Sequence, residues 1–520
     1  MRRKGRVYLV GAGPGDPGLI TVKGLRALQR ADVVIYDHLV SERLLDHCQP
    51  AAKIIYAGKE RHRHTKTQTQ IERLLIRFAK AGKAVVRLKG GDPVLFGRGG
   101  EEALALAKAH LPFEIIPGVT SAIAVPAYAG IPVTHRTMAS SVAMATGHED
   151  PLKSATSLDW SRLATATDTL VLLMGMATLR ATVEQLIRHG RVSTTPCAVI
   201  EWGTWPRQRT VVGTLATIVR RCASARVRPP AVIVVGEVVR LRQRLRWFEC
   251  RPFFGQRIVV TRPTDRADAL VQVLDALGAE VIALPAIELA PLPANGRFHR
   301  AMGAVEQFDW VFFTSPEGIA WFQRLLRQDH RDLRILQGRH IGAIGPKTAA
   351  SIEERGIRVD FLPPTYSQEG MLRGLDRRRL VGKHALVLNA KEGRDVLERG
   401  LRRMGMAVTR LPIYQTVMPA RLRQRVRAVF AQPVDYVTVT SASCVDHLVD
   451  ALTSAGLKRA ISRIRWASIG PVTSHAVRRA GGRVAVEARR ATIEGLVDAM
   501  GQGGKRRGIS RASVASASAV

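Results

Sequence analysis

The sequence predicts an α/β fold laid out in several domains, and three observations lead to that reading. Apolar strand-like runs alternate with helix-length stretches along almost the whole chain, as at Val7–Val10, Val33–Tyr36, Val85–Leu88, Leu170–Leu173, Ala198–Ile200, Val232–Val235, Ile258–Val260, Val311–Phe313, Ala385–Leu388 and Val437–Val439. Clusters of small residues follow several of these runs, where the backbone of an α/β protein turns towards a ligand. The second half also echoes itself. Asp309-Trp-Val-Phe-Phe-Thr-Ser returns as Asp435-Tyr-Val-Thr-Val-Thr-Ser, Ile344-Gly-Pro-Lys-Thr-Ala as Ile469-Gly-Pro-Val-Thr-Ser, and Gly278-Ala-Glu-Val-Ile-Ala-Leu-Pro as Gly405-Met-Ala-Val-Thr-Arg-Leu-Pro, at offsets of 126, 125 and 127 residues. Three motifs in one order at nearly one spacing predict a pair of similar α/β domains with a ligand cleft between them.

Length and composition set the bounds. A chain of 520 residues makes about two to four domains of ~100–200 residues. With 46% hydrophobic and 23% charged residues it can bury a core throughout, which excludes wholesale disorder and fibre. No run of about eighteen apolar residues occurs, and Met1-Arg-Arg-Lys-Gly-Arg-Val-Tyr passes straight into a strand without a signal-peptide core. A cytoplasmic protein without a membrane partner is expected. The cysteines Cys48, Cys197, Cys222, Cys250 and Cys444 are odd in number, widely spaced and free of any Cys-x-x-Cys, and they read as inert thiols with no structural metal.

The net charge is +36, shared evenly: residues 1–250 hold 37 basic against 19 acidic residues, and residues 251–520 hold 42 against 24. A nucleic-acid protein more often gathers its charge in an arm or stripe, so spread charge favours plain composition, and charge alone does not choose between a small polyanion and a nucleic acid as partner.

The first glycine-rich segment, Gly11-Ala-Gly-Pro-Gly-Asp-Pro-Gly18, leads to a helix near Thr21–Arg30 and a strand ending at Asp37. It invites a dinucleotide fingerprint, but residue 16 is Asp where a third glycine should stand and Pro14 stiffens the turn. Two more clusters sit at strand ends: Gly90-Gly-Asp92-Pro-Val-Leu95-Phe96-Gly-Arg98-Gly-Gly100-Glu-Glu102, and Pro117-Gly-Val-Thr120-Ser121 leading to Gly130-Ile-Pro-Val-Thr-His135-Arg136. The alternation breaks at Arg240–Gln256, a basic and aromatic stretch closing in Pro and Gly. The expected boundaries are therefore a first domain over 1–246, a linker over 247–254, a second half over 255–501 and a disordered tail over 502–520.

These motifs, with Tyr36-Asp-His-Leu-Val-Ser, resemble the tetrapyrrole methylases, and most closely uroporphyrinogen-III C-methyltransferase, from about residue 5 to 245. The resemblance implies the two-domain tetrapyrrole methylase fold, S-adenosylmethionine as cofactor in the cleft between the two domains, and a homodimer formed through this half. By motif it assigns Pro14, Gly90, Gly91, Asp92, Leu95, Thr120, Ser121, Met174 and Gly203 to the cofactor, with Asp37 as proton acceptor and Lys59 as proton donor. Methyl transfer from a sulfonium needs in-line placement more than acid or base, so small residues and backbone groups suit such a site. Lys59 reads equally as an anchor for a substrate carboxylate or a solvated lysine, and Met174 as core packing. His62 and His64 read as a basic loop facing a polyanion, since no acid or cysteine completes a metal site.

In the second half the pairs Thr314-Ser315 and Thr440-Ser441, the loops Gly345-Pro-Lys-Thr348 and Gly470-Pro-Val-Thr473, and Leu411-Pro-Ile-Tyr414-Gln-Thr resemble uroporphyrinogen-III synthase over about 255–500. Taken singly, a Thr-Ser after a strand is usually a helix cap. The resemblance implies a two-lobed α/β fold in which Ile258–Val260 returns to the lobe built from the C-terminal part. It makes Tyr414 the candidate to help a hydroxyl leave, against a half-buried aromatic at a strand end. Arg262, Ser315, Thr348, Lys391, Ser441 and Thr473 are candidate partners of substrate carboxylates. The product of the second activity would be the substrate of the first, which favours small tetrapyrrole substrates over a methylase of RNA or protein fused to a binding module.

Overall fold

The computed structural model describes residues 5–58, 66–147 and 157–504. Among the described residues the fold is α/β, with twenty strands in four five-stranded sheets. Its described residues fall into two compact units, one holding the chain to Arg257 with Val273–Glu280, the other Ile258–Gln272 and the chain from Val281 onward. No helix among the described residues is long and apolar enough to cross a membrane.

The first unit opens with β1 (Val7–Gly11), β2 (Val33–Tyr36), β3 (Lys53–Tyr56), β4 (Val85–Lys89) and β5 (Phe113–Ile116), in the order β3-β2-β4-β1-β5. The pairings β1 with β4 and β5, and β2 with β3 and β4, are all parallel. Period-two alternation sends Val7, Leu9, Val33, Ile35 and Val85 to one face, where α2 (Gln68–Lys80) and α3 (Gly99–Lys108) bury Ile71, Leu75, Ala103 and Leu106. Val10, Val34, Val86 and Leu88 go to the other, against Ala27 and Leu28 of α1 (Val22–Gln29). The connections leaving β1 and β4 thus pass to opposite faces of the sheet. The crevice beyond the carboxyl ends of these two neighbours is its switch point, where ligands of open α/β sheets bind.

The same unit continues with α4 (Ser121–Tyr128) and a second sheet of β6 (Val142–Thr146), β7 (Thr169–Leu173), β8 (Pro196–Glu201), β9 (Arg209–Thr214) and β10 (Ala231–Val235). Its order is β6-β7-β10-β8-β9, and only β6 and β7 run parallel. Segment 247–254, expected as a linker, packs against α4: the Trp247 indole N–H donates to the Ala127 carbonyl at 3.1 Å, and Trp247 and Phe248 meet the Tyr128 ring edge-on. Phe248 and Phe253 are buried, so these aromatic residues belong to a core.

The second unit contains β11 (Arg257–Val260), β12 (Glu280–Ala283), β13 (Glu288–Pro291), β14 (Trp310–Phe313), β15 (His340–Ala343), β16 (His384–Ala390), β17 (Ala407–Val417), β18 (Tyr436–Val439), β19 (Arg465–Ser468) and β20 (Arg483–Glu487). They form two sheets, β12-β11-β18-β19-β20 and β13-β17-β16-β14-β15. As expected, β11 returns to the C-terminal lobe, pairing parallel with β18 through Ile258↔Tyr436 and Val260↔Thr438.

The internal echo does not divide into one repeat per lobe. His384 follows Arg257 and Ala407 follows Glu280 by 127 residues each, so β16-β17 repeat β11-β12 just as β18-β19 repeat β14-β15. Yet β11 and β12 sit beside β18 and β19, while β16 and β17 sit beside β14 and β15. Each lobe therefore combines the first half of one repeat with the second half of the other. The lobes are similar, but neither is a repeat.

Candidate active sites

Three loops meet at the β4/β1 switch point, and glycine lets them meet. Gly13 and Gly91 exchange backbone hydrogen bonds of 3.2 and 2.8 Å, joining the loop after β1 to the loop after β4. A Cβ on Gly11 would lie 2.5 Å from the Gly118 Cα, and one on Gly118 would lie 2.4 Å from the Gly91 carbonyl oxygen. No side chain fits between these backbones. Asp92 fastens the cluster. One of its carboxylate oxygens accepts from the Val94 and Leu95 N–H groups at 2.9 and 3.0 Å, the other from the Gly118 N–H at 3.0 Å. The sequence reading had Asp92 available to a ligand, whereas here most of its accepting capacity is spent on its own loops.

The second sheet adds to this floor. Asp16 N–H donates to the Thr204 hydroxyl at 3.2 Å, and the Tyr128 hydroxyl donates to the Asp16 carboxylate at 2.8 Å. Gly203 is buried so close to α4 that a Cβ would lie 2.2 Å from a Val125 methyl. Pro14, Gly90 and Leu95 are partly exposed, as are Thr120, which caps α4, and Ser121, its first residue. Met174 is half exposed with φ +55°, so core packing does not account for it. Five of the eight non-glycine residues with positive φ among the described residues lie in these loops: Phe96, Arg98, Met174, Trp202 and Thr204. The other three, His110, Arg226 and His330, follow helix ends. Backbone strain thus collects at the loop ends, as it does at ligand sites. Small residues, hydroxyls and a thioether form a donor set that fits a sulfonium nucleoside better than a metal. Among the described residues no group of three or more His, Cys, Asp or Glu is placed to hold a metal ion.

Asp37 stands just beyond β2, its side chain 28% exposed and paired with the guanidinium of Arg87. Arg87 and Lys89 alternate along β4 and are almost wholly buried. Both reach Glu102 of α3, itself fully buried, whose Oε1 accepts from Arg87 Nε at 3.1 Å, Lys89 Nζ at 3.2 Å and Gln68 Nε2 at 3.3 Å. Burial, with the Arg87 charge beside it, pushes the Lys89 ammonium below its ordinary value. The sequence reading passed over Arg87 and Lys89 as part of a strand. The available signal was two cations at alternate positions in an otherwise apolar run, with acids following in the next helix. Lys59, His62 and His64 lie outside the described residues.

In the second unit every candidate except Tyr414 follows the carboxyl end of a parallel strand: Ser315 after β14, Thr348 after β15, Lys391 after β16, Arg262 after β11, Ser441 after β18 and Thr473 after β19. Ser315 and Ser441 are helix caps, accepting from the Gly318 and Cys444 N–H groups at 3.0 and 3.2 Å. Tyr414 lies within the eleven-residue strand β17 and is 7% exposed, so it is buried and not a half-buried strand end. Its hydroxyl shares a hydrogen bond of 2.9 Å with that of Ser315, and its carbonyl accepts the Lys391 N–H at 2.8 Å. Ser315, Lys391 and Tyr414 are thereby brought together. Thr348 and Thr473 are buried, and their exposed neighbours are Lys347 and Val472. Arg262 is partly exposed and Lys391 exposed.

Behind Lys391 lies a second buried carboxylate. Glu398 Oε1 accepts from the Asn389 amide at 2.7 Å and lies 3.3 Å from Arg410 Nε. Arg410 in turn donates to the carbonyls of Lys391 and Gly393 at 3.1 and 2.9 Å, so this network shapes the loop backbone.

Comparison with known proteins finds two family matches, Tetrapyrrole (Corrin/Porphyrin) Methylases over residues 6–219 and Uroporphyrinogen-III synthase HemD over residues 268–498. A porphyrin biosynthesis protein HemD of Ruminiclostridium josui is 36% identical over 95% of this chain and 97% of its own length. A uroporphyrinogen-III C-methyltransferase of Priestia megaterium is 53% identical over 45% of this chain and 98% of its own. A siroheme synthase of Nitrosomonas eutropha is 53% identical over 47% of this chain and 51% of its own.

Proposed function

Because the chain belongs to the family in which a tetrapyrrole methylase is fused to a uroporphyrinogen-III synthase, we propose that it catalyses two consecutive steps of tetrapyrrole biosynthesis. The second half, over 255–501, closes hydroxymethylbilane to uroporphyrinogen III. The first, over 1–246, methylates that product twice to the dihydrosirohydrochlorin precursor of sirohaem and cobalamin. The observation that supports this best is that one chain holds both sets of strand-end loops.

S-adenosylmethionine, when bound, supplies the methyl group as a sulfonium. Gly90, Gly91, Thr120, Ser121, Leu95, Met174, Gly203 and Pro14 are the residues we assign to hold it, with Asp92 keeping two of the loops in register. Asp37 takes the proton that the methylated macrocycle sheds, and Lys59 gives a proton or anchors a carboxylate. In the second half Ser315, Lys391 and Tyr414 hold the bilane folded, the Tyr414 hydroxyl assisting loss of water. Arg262, Thr348, Ser441 and Thr473 complete the set from the other strand ends. Cyclisation of a reactive bilane then rests mainly on positioning. Homodimerisation through the first half belongs to the same reading.

The test is to incubate pure protein with hydroxymethylbilane and labelled S-adenosylmethionine and identify the tetrapyrrole formed. A doubly labelled type-III product is expected. Type-I product alone would refute the second-half assignment, and unlabelled type-III product the first-half assignment.

A further inference from the structure

We propose that Arg87, held from behind by Glu102, is the positioning residue for Asp37. This rests on the reading of Asp37 as proton acceptor and adds to it the device that aims its carboxylate.

Asp37 follows a strand end, where a short side chain has several rotamers open to it. Its partner has none of that freedom. Arg87 is 2% exposed, its Nη1 donates to the Ile35 carbonyl at 3.3 Å, and its Nε donates to Glu102 at 3.1 Å. A planar fork fixed at those two points leaves Nη2 in one place, and Nη2 is the donor that meets one oxygen of Asp37. The other oxygen, Oδ2, lies 4.0 Å from Lys89 Nζ, which is bound more closely to Glu102. One carboxylate oxygen is pinned while the other stays available to a proton.

The chemistry of the network supports the same conclusion. Two cations and two carboxylates balance in charge, yet burying such a group is costly compared with apolar residues of equal volume. Apolar residues at positions 87, 89 and 102 together would avoid that cost. What apolar residues lack is a rigid donor aimed at position 37. In the step itself the methyl-bearing macrocycle loses a proton to the Asp37 carboxylate, which becomes a neutral acid. Arg87 and Glu102 keep their protonation states, and no oxidant or further reactant enters.

The experiment uses the full chain and measures methyl transfer from labelled S-adenosylmethionine to supplied uroporphyrinogen III for Asp37→Asn, Arg87→Lys and the double variant, with S-adenosylhomocysteine affinity by calorimetry. Arg87→Lys keeps the charge and loses the fork. It should lower kcat about tenfold or more while KM and nucleoside affinity stay within about twofold, and add less than about twofold in the Asp37→Asn background. A wild-type kcat for Arg87→Lys, or an equal loss in both backgrounds, overturns the proposal and leaves the Asp37 reading standing. A wild-type kcat for Asp37→Asn overturns that reading, and the proposal with it. Should Arg87→Lys not fold, Glu102→Gln serves the same cycle with the same two outcomes.

Discussion

Glu102 and Glu398 are the same device used in two ways. Each is a carboxylate buried behind the loops of its unit, each accepts at Oε1 from an amide and lies within 3.3 Å of an arginine, and each has an Oε2 without a partner among the described residues. They differ in what the arginine does next. Arg87 gives its Nη2 to a side chain, Asp37, and is itself buried. Arg410 passes its own to the carbonyls of the Lys391 loop and is 31% exposed. A buried ionic network therefore has no fixed role. In the first unit it holds a carboxylate, and in the second a loop backbone.

The contrast is open to measurement. The largest expected effect is on stability. Glu102→Ala takes from Arg87 and Lys89 the buried carboxylate they share, leaving two buried cations to the partly exposed Asp37, and should cost the first unit about 3–5 kcal/mol. Glu398→Ala leaves an arginine that reaches water and should cost the second about 1–3 kcal/mol. Denaturant unfolding followed in each unit would erase the distinction if the two losses came out equal. Next in size is Asp92→Ala, which strips three backbone N–H groups of their acceptor. It should weaken S-adenosylmethionine binding by roughly ten- to a hundredfold, or about 1.5–3 kcal/mol, and leave ring closure untouched. Calorimetry showing wild-type affinity would mean the cofactor does not depend on these loops.

Tyr414→Phe removes one hydroxyl from a buried ring and one partner from Ser315. Stability should fall by about 1 kcal/mol, while cyclisation slows and the symmetric isomer rises. Methylation of added uroporphyrinogen III should not change. An unaltered isomer ratio would reduce Tyr414 to a packing residue. The smallest effect is a null one that sharpens the others. Burial pushes the Cys222 thiol up to about 11, and Cys197 and Cys444 are buried as well, whereas Cys250 is exposed. Near neutral pH a thiol reagent should label Cys250 first, with Cys48, partly exposed and pushed up to about 11, following more slowly. As denaturant rises, Cys197 and Cys222 should report opening of the first unit and Cys444 that of the second, and labelling of all three at one denaturant concentration would show that the units do not unfold separately.

The strands were legible because burial on both faces of a parallel sheet demands apolar runs, and β1, β4, β7 and β18 fall where those runs do. The glycine loops were legible because no other residue permits the contact among Gly11, Gly91 and Gly118. Arg87 and Lys89 were not. Within a strand-like run a charged side chain has no visible partner, since Glu102 joins it only when α3 folds back over β4. The alternative for Tyr414, a half-buried aromatic at a strand end, fails because β17 continues past Pro412 to pair with β13.

The sequence alone determined the α/β class, the two halves, the strand-end loops and the internal echo, because each is written in local periodicity or in glycine's conformational freedom. Tertiary structure alone decided that β16 and β17 sit beside β14 and β15, that Phe248 and Phe253 pack into a core, and that Asp37 has Arg87 and Glu102 behind it. Strand partnership and the pairing of buried charges depend on which segments meet after chain reversal. No periodicity along the chain records that.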